Sequence, residues 1–164
     1  MPSYHCKQCG MPHDGIPAFH ADRPTSYWDV PEEKRSTDVF LTSDSCVIAE
    51  QFYFIRGCLE IPIRDHPDVF TWGVWVSLKE ENFFKWQDCY SVDHRSHIGP
   101  FFGWLCTQLP IYPDTLHLKT MVHLRDNGIR PFIELEATDH PLAIDQQKGI
   151  SLERALELVH QLPE

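Results

Sequence analysis

No stretch of this chain is apolar for long enough to cross a bilayer, and residues 1–20 hold no apolar run of the length a secretion signal needs. The expectation is a chain that stays in a reducing cytoplasm. Basic clusters are missing too. With 14 Lys and Arg against 24 Asp and Glu, the formal charge is −10, and nothing supplies the cationic track that displaces counterions from a phosphate backbone. That balance argues against nucleic acid as a partner, and an acidic surface is equally repelled by anionic membranes. The 8 glycines nowhere form a phosphate-cradling loop or a dinucleotide fingerprint, and there is no nucleophile elbow, so no motif of these kinds speaks for an enzyme.

What is present describes a globular protein. At 164 residues, 42% hydrophobic and with five tryptophans, the chain is the size of one domain that buries a core without disulfide staples. We expect a single domain over 1–164, with a loop-rich, metal-anchored segment at 1–35 and an α+β core at 44–164. In a reducing compartment the six cysteines are expected as free thiols or metal ligands. The acidic charge suits a basic protein partner. The oligomeric state is not legible.

Pro2, Pro12, Pro17, Pro24 and Pro31 punctuate the first 35 residues, where only 31–35 suggests a helical turn. Strands follow at 45–49, at 52–63 with breaks at Gly57 and Pro62, and at 70–76, where Trp72, Val74 and Val76 alternate. Ser77 and Glu80 match a capping box, which predicts a helix over 78–90 with Phe83, Trp86 and Tyr90 on its apolar face. A strand is expected at 101–107, and Asn127-Gly128 marks a hairpin between 116–125 and 130–137. Leu152, Ala155, Leu156 and Val159 recur at helical spacing behind Ser151, a good N-cap. The fold class is therefore α+β: a mostly antiparallel sheet, a mid-chain helix, a C-terminal helix and a zinc-knuckle-like N-terminal segment.

Two constellations carry chemistry. Cys6 and Cys9, separated by two residues and followed by Gly10, form half of a tetrahedral zinc site. His5, His13, His20, Cys46 and Cys58 are candidates to complete it, with His13 and Cys46 favoured. Thr138-Asp139-His140-Pro141 sets an Asp beside a His, which invites a general-base reading. The plainer reading is that Thr138 or Asp139 caps a short helix that Pro141 starts and Gly149 ends. His140 is also a candidate zinc ligand, and His94 and His97 could share a second metal. Arg56 and Glu60 stand four residues apart in one strand, where a buried pair would mark a site.

Several stretches together resemble a known family: Cys6-Lys7-Gln8-Cys9-Gly10 with His13, Asp44-Ser45-Cys46, Phe54 through Pro62, Trp72 through Leu78, and Asp139-His140-Pro141-Leu142-Ala143. The chain resembles the bacterial domain-of-unknown-function family 2199. That resemblance implies a bacterial, cytosolic, single-domain protein and supports grouping Cys6, Cys9, His13 and Cys46; it carries over no activity. The expected function is a non-enzymatic, zinc-stabilised domain that binds another protein, in an immunity-type or inhibitory role. The alternatives are a metal-dependent hydrolase with Asp139 or Glu60 as base, and a small-molecule pocket walled by Trp72, Trp75, Phe101 and Trp104 beside a structural zinc.

Overall fold

The computed structural model describes residues 3–5, 12–14, 16 and 18–162, with 3–5 and 12–14 described through their strand backbone. Strands β1 (Ser3–His5) and β2 (Pro12–Asp14) pair antiparallel, with Tyr4 opposite His13. Cys6 and Cys9 fall between these strands, outside the described residues. The chain continues through β3 (Phe19–His20), two 3-10 turns at Thr25–Asp29 and Glu32–Lys34, and the single-turn helix α1 (Arg35–Asp38). The helical turn expected at 31–35 is thus present and slightly longer.

Alternating large apolar residues build β4 (Val39–Leu41), β5 (Ser45–Ile48), β6 (Phe52–Pro62) and β7 (Val69–Leu78). Helix α2 (Glu80–Asp88) follows, then β8 (Phe101–Leu105), β9 (Lys119–His123), β10 (Phe132–Leu135), α3 (Pro141–Lys148) and α4 (Leu152–Gln161). Among the described residues eight strands run in the order β3-β7-β8-β9-β10-β6-β5-β4, and β6 also pairs with β7 from Tyr53 to Pro62. The five strands β6 to β10 therefore close into a small barrel. The pairings are antiparallel except for β3 with β7 and β10 with β6.

Inside the barrel lie Ile55, Leu59, Ile61, Trp72, Val74, Val76, Val122 and Ile133, and the helices seal it with Phe83 and Trp86 of α2, Leu142 and Ala143 of α3, and Ala155 and Leu158 of α4. A second, smaller core forms on the opposite face of β5, β6 and β7 from Cys46, Ile48, Phe54, Trp75 and Cys106, covered by Ala21 and Val30 of the N-terminal segment. The strand period of two sends Ile55, Leu59 and Ile61 inward and Phe54, Arg56, Cys58 and Glu60 outward.

Three expectations need correction. β6 does not break at Gly57. A Cβ there would stand 2.6 Å from Ile133 and 3.0 Å from the Pro131 carbonyl oxygen, so the glycine is the seat on which β10 closes the barrel. The capping box is not used: Ser77 and Leu78 stay in β7, opposite Phe54 and Tyr53 of β6, and the helix starts after Lys79. A long antiparallel ladder outweighs one cap. The aromatic residues proposed to wall a pocket do not share one, because Trp72 lies in the barrel, Trp75 in the second core and Trp104 on the outer surface. Other expectations hold. Asn127 and Gly128 take positive φ, 60° and 72°, in the β9–β10 connection, and the Ser151 hydroxyl caps α4 by accepting from the Arg154 N–H.

Candidate functional site

The outward residues of β6 meet the barrel's closing hairpin, and there the polar side chains gather. Arg125 and Arg130 flank the β9–β10 turn. The Arg125 guanidinium sits 2.6 Å from Glu60 Oε2 and donates from Nε to the Arg130 carbonyl at 2.7 Å. Arg130 Nε donates to Asp44 Oδ1 at 2.8 Å, and the Tyr90 hydroxyl donates to Asp44 Oδ2 at 2.6 Å. Burial works to raise the Asp44 carboxyl, yet the Tyr90 and Arg130 hydrogen bonds outweigh it and hold the group below its ordinary value.

Arg56 and Glu60 share this face but do not pair. Glu60 belongs to Arg125. Arg56 donates from Nη1 to the Ser43 carbonyl at 3.2 Å, lies 3.7 Å from Asp22, and has its guanidinium 6.0 Å from the Trp75 ring centroid. Burial, and then the Arg130 charge, push the Arg56 guanidinium down from its ordinary value. Between Arg56 and Glu60 stands Cys58, half-buried, whose thiol burial pushes up against the pull of Arg125. Sequence reasoning singled out Arg56 and Glu60 and missed Asp44, Tyr90, Arg125 and Arg130. The available signal was the Arg-Cys-Glu alternation within an otherwise apolar strand; the arginines come from residues 65 or more positions away.

The remaining candidates are dispersed. Cys46 is fully buried among Ile48, Phe54, Trp75 and Cys106, and burial raises its thiol to about 11. The N-terminal segment does lie against this strand, as expected, but with Ala21 and Val30 over apolar neighbours. The side chain of His13, like those of Cys6 and Cys9, is outside what is described. Among the described residues no three His, Cys, Asp or Glu side chains form a group that could hold a metal, so the knuckle finds no support there. His94 lies beside His97, ring centroids 5.2 Å apart, and pairs with Asp126 instead.

The cap at 138–141 is built, but by His140. Its Nδ1 accepts from the Leu142 N–H at 3.1 Å and its Nε2 faces the Asp114 carbonyl at 2.9 Å, so one tautomer satisfies both and neither nitrogen is left over for a metal or a substrate proton. The Thr138 hydroxyl accepts from the His140 N–H, and Asp139 is exposed in the connection.

A second feature was not legible beforehand. Phe40, Phe52, Phe84, Phe102 and Trp104 are between 41% and 67% exposed. One groove of about 450 Å³ runs between β4–β5 and α2, lined by Phe40, Val47, Tyr53, Phe84, Glu50 and Glu80. Tyr53 also lines an adjoining groove of about 450 Å³ with Phe52, Phe102 and Trp104. Phe102 in turn borders a third, of about 510 Å³, that carries Glu134 and Glu136. Burial and then the Glu80 and Glu50 carboxylates push the Tyr53 phenol up.

Among the described residues no helix is long and apolar enough to cross a membrane. The model of the family described as uncharacterized protein conserved in bacteria (DUF2199) matches residues 5–150, and the chain belongs to that family. No curated protein and no solved structure matches the chain.

Proposed function

We propose that this domain acts by binding another protein, without catalysis, and that a basic segment of the partner docks in the groove between β4–β5 and α2. One observation carries the reading: Phe40 and Phe84 stand 67% and 42% exposed in a groove whose acidic members are Glu50 and Glu80. Clustered exposed aromatics are characteristic of recognition surfaces, and carboxylates beside them select a cationic partner and speed its encounter. Among the described residues β4 ends the sheet, and its outer edge offers backbone groups to an extended segment. An inhibitory role against a basic bacterial protein is the concrete form of this reading. In the hydrolase alternative the base would be Glu60, which Arg125 holds, or Asp139, which stands exposed in the β10–α3 connection. A zinc ion held by Cys6 and Cys9 is the structural part of the proposal, supported by their spacing and by the antiparallel pairing of β1 and β2, which precede and follow them in the sequence.

The test is affinity purification at low salt with the wild type beside Phe84→Ser and the double variant Glu50→Lys, Glu80→Lys. A stoichiometric basic protein retained by the wild type, released by salt and lost with both variants supports the reading. Retention of the same proteins by all three overturns it.

A further inference from the structure

Among the described residues no carboxylate lies within hydrogen-bonding distance of the Arg56 guanidinium in the outer-face cluster, although the charges of Asp22 and Asp44 both act on it. Arg125 is paired with Glu60 at 2.6 Å and Arg130 with Asp44 at 2.8 Å, whereas the carboxylate facing Arg56 is that of Asp22, 3.7 Å away and 82% exposed. Yet the Arg56 side chain is nine-tenths buried, and its Nε has no hydrogen-bond partner among the described residues. A buried guanidinium without a close counter-ion is expensive to maintain. Its orientation is fixed beforehand: Nη1 is anchored on the Ser43 carbonyl, and the Arg56 N–H donates to the Asp44 carbonyl at 3.0 Å. Arg130 adds a second positive charge nearby, and His20, exposed on the same face, feels both: burial and then Arg56 and Arg130 hold its imidazole below the ordinary value.

We propose that this spot binds a small oxyanion, a carboxylate or phosphate group, which takes the place of Asp22 beside Arg56. Nη2, which faces Asp22, offers a charged donor to an oxygen of such a group, and a side chain already held in place loses little freedom on binding. Asp22 is the internal competitor: loose, exposed and easily displaced. The site does not depend on the aromatic groove or on the protein partner proposed for it.

Protein labelled with 15N in arginine is titrated with inorganic phosphate and, separately, with acetate, at constant ionic strength held with sodium chloride, while the Arg56 Nε–Hε resonance is followed. A saturable shift is expected; with phosphate alone it assigns a phosphate ligand, with acetate alone a carboxylate, and with both the shared oxyanion chemistry. Asp22→Asn, a change at an exposed position, tightens binding by about threefold as the competing charge is removed. Arg130→Gln weakens it by about tenfold, and Arg154→Gln, outside the cluster, leaves it unchanged. No saturable shift with either anion, or an affinity that Asp22→Asn leaves the same, overturns the proposal.

Discussion

Ile133 occupies the place where a side chain on Gly57 would stand, with its Cδ1 and Cγ1 2.6 and 2.7 Å from the position of a Cβ there. This contact lies where Cys58 donates its N–H to the Pro131 carbonyl at 2.8 Å, the parallel junction of β6 with β10. Barrel closure thus depends on the absence of a side chain in the middle of an eleven-residue strand.

Gly57→Ala should therefore destabilise the fold, although alanine is ordinarily the better strand residue. The nearest groups include a backbone carbonyl that cannot swing away, and overpacking of this kind costs about 1–3 kcal/mol. Urea denaturation midpoints measure it. A midpoint equal to the wild type would mean that Ile133 repacks freely and that the junction is loose.

Asp126 makes stability depend on pH. Its Oδ1 accepts the N–H groups of Ser96 and Arg95, each at 2.7 Å, and these two bonds, Ser96 first, take the carboxyl from 3.8 to about 2. A carboxyl depressed on folding stabilises the native state above its unfolded value and loses that contribution as pH falls through the folded value. The wild type should thus outlast Asp126→Asn in thermal melts at pH 6, and the gap should close between about pH 4 and pH 2. A gap that stays constant over that range assigns the effect to shape rather than charge.

Arg95 is the reciprocal half of the same clamp. It is 3% exposed and donates to the carbonyls of Arg125 at 2.8 Å, Tyr90 at 2.8 Å and Ile129 at 3.1 Å, tying the end of α2 to the turn that carries Arg125 and Arg130. Lysine has one ammonium group and cannot reach three divergent carbonyls. Each charge-assisted hydrogen bond contributes about 1.5–3 kcal/mol, so Arg95→Lys should lose at least one such increment. Denaturant midpoints read the loss, and full stability in Arg95→Lys would show that the carbonyls are satisfied another way.

The alternation and capping signals in the sequence are local, and what they could reveal was local. Trp72, Val74 and Val76 announce β7 because a strand's period is visible within ten residues, and Ser151 announces α4 because a cap sits beside its helix. The closure of β10 onto β6 was not visible: it joins Phe132 to Cys58 across more than seventy residues, and a parallel pairing leaves no turn signature. The site follows the same division. Arg56 and Glu60 stood out as charges in an apolar strand, but their partners Asp22, Ser43 and Arg125 are assembled by that closure and by the N-terminal segment folding over β5 to β7. Ser77 shows the converse error, a valid local motif overruled by a longer ladder.

The N-terminal half-site yields the last prediction. If Cys6 and Cys9 hold zinc, untagged protein carries one zinc per chain by plasma mass spectrometry, and Cys6→Ser and Cys9→Ser each lose it. Cys46→Ala should keep the metal, because the Cys46 thiol is packed among Ile48, Phe54 and Trp75 and would have to leave an apolar cluster to reach an ion. That variant should instead be mildly destabilised, by the removal of one sulfur from a closed core. Loss of zinc in Cys46→Ala would place Cys46 in the coordination sphere after all and would require the second core to open when the metal binds. Absence of zinc from the wild type would remove the metal from the proposal and leave the acidic aromatic groove to stand alone.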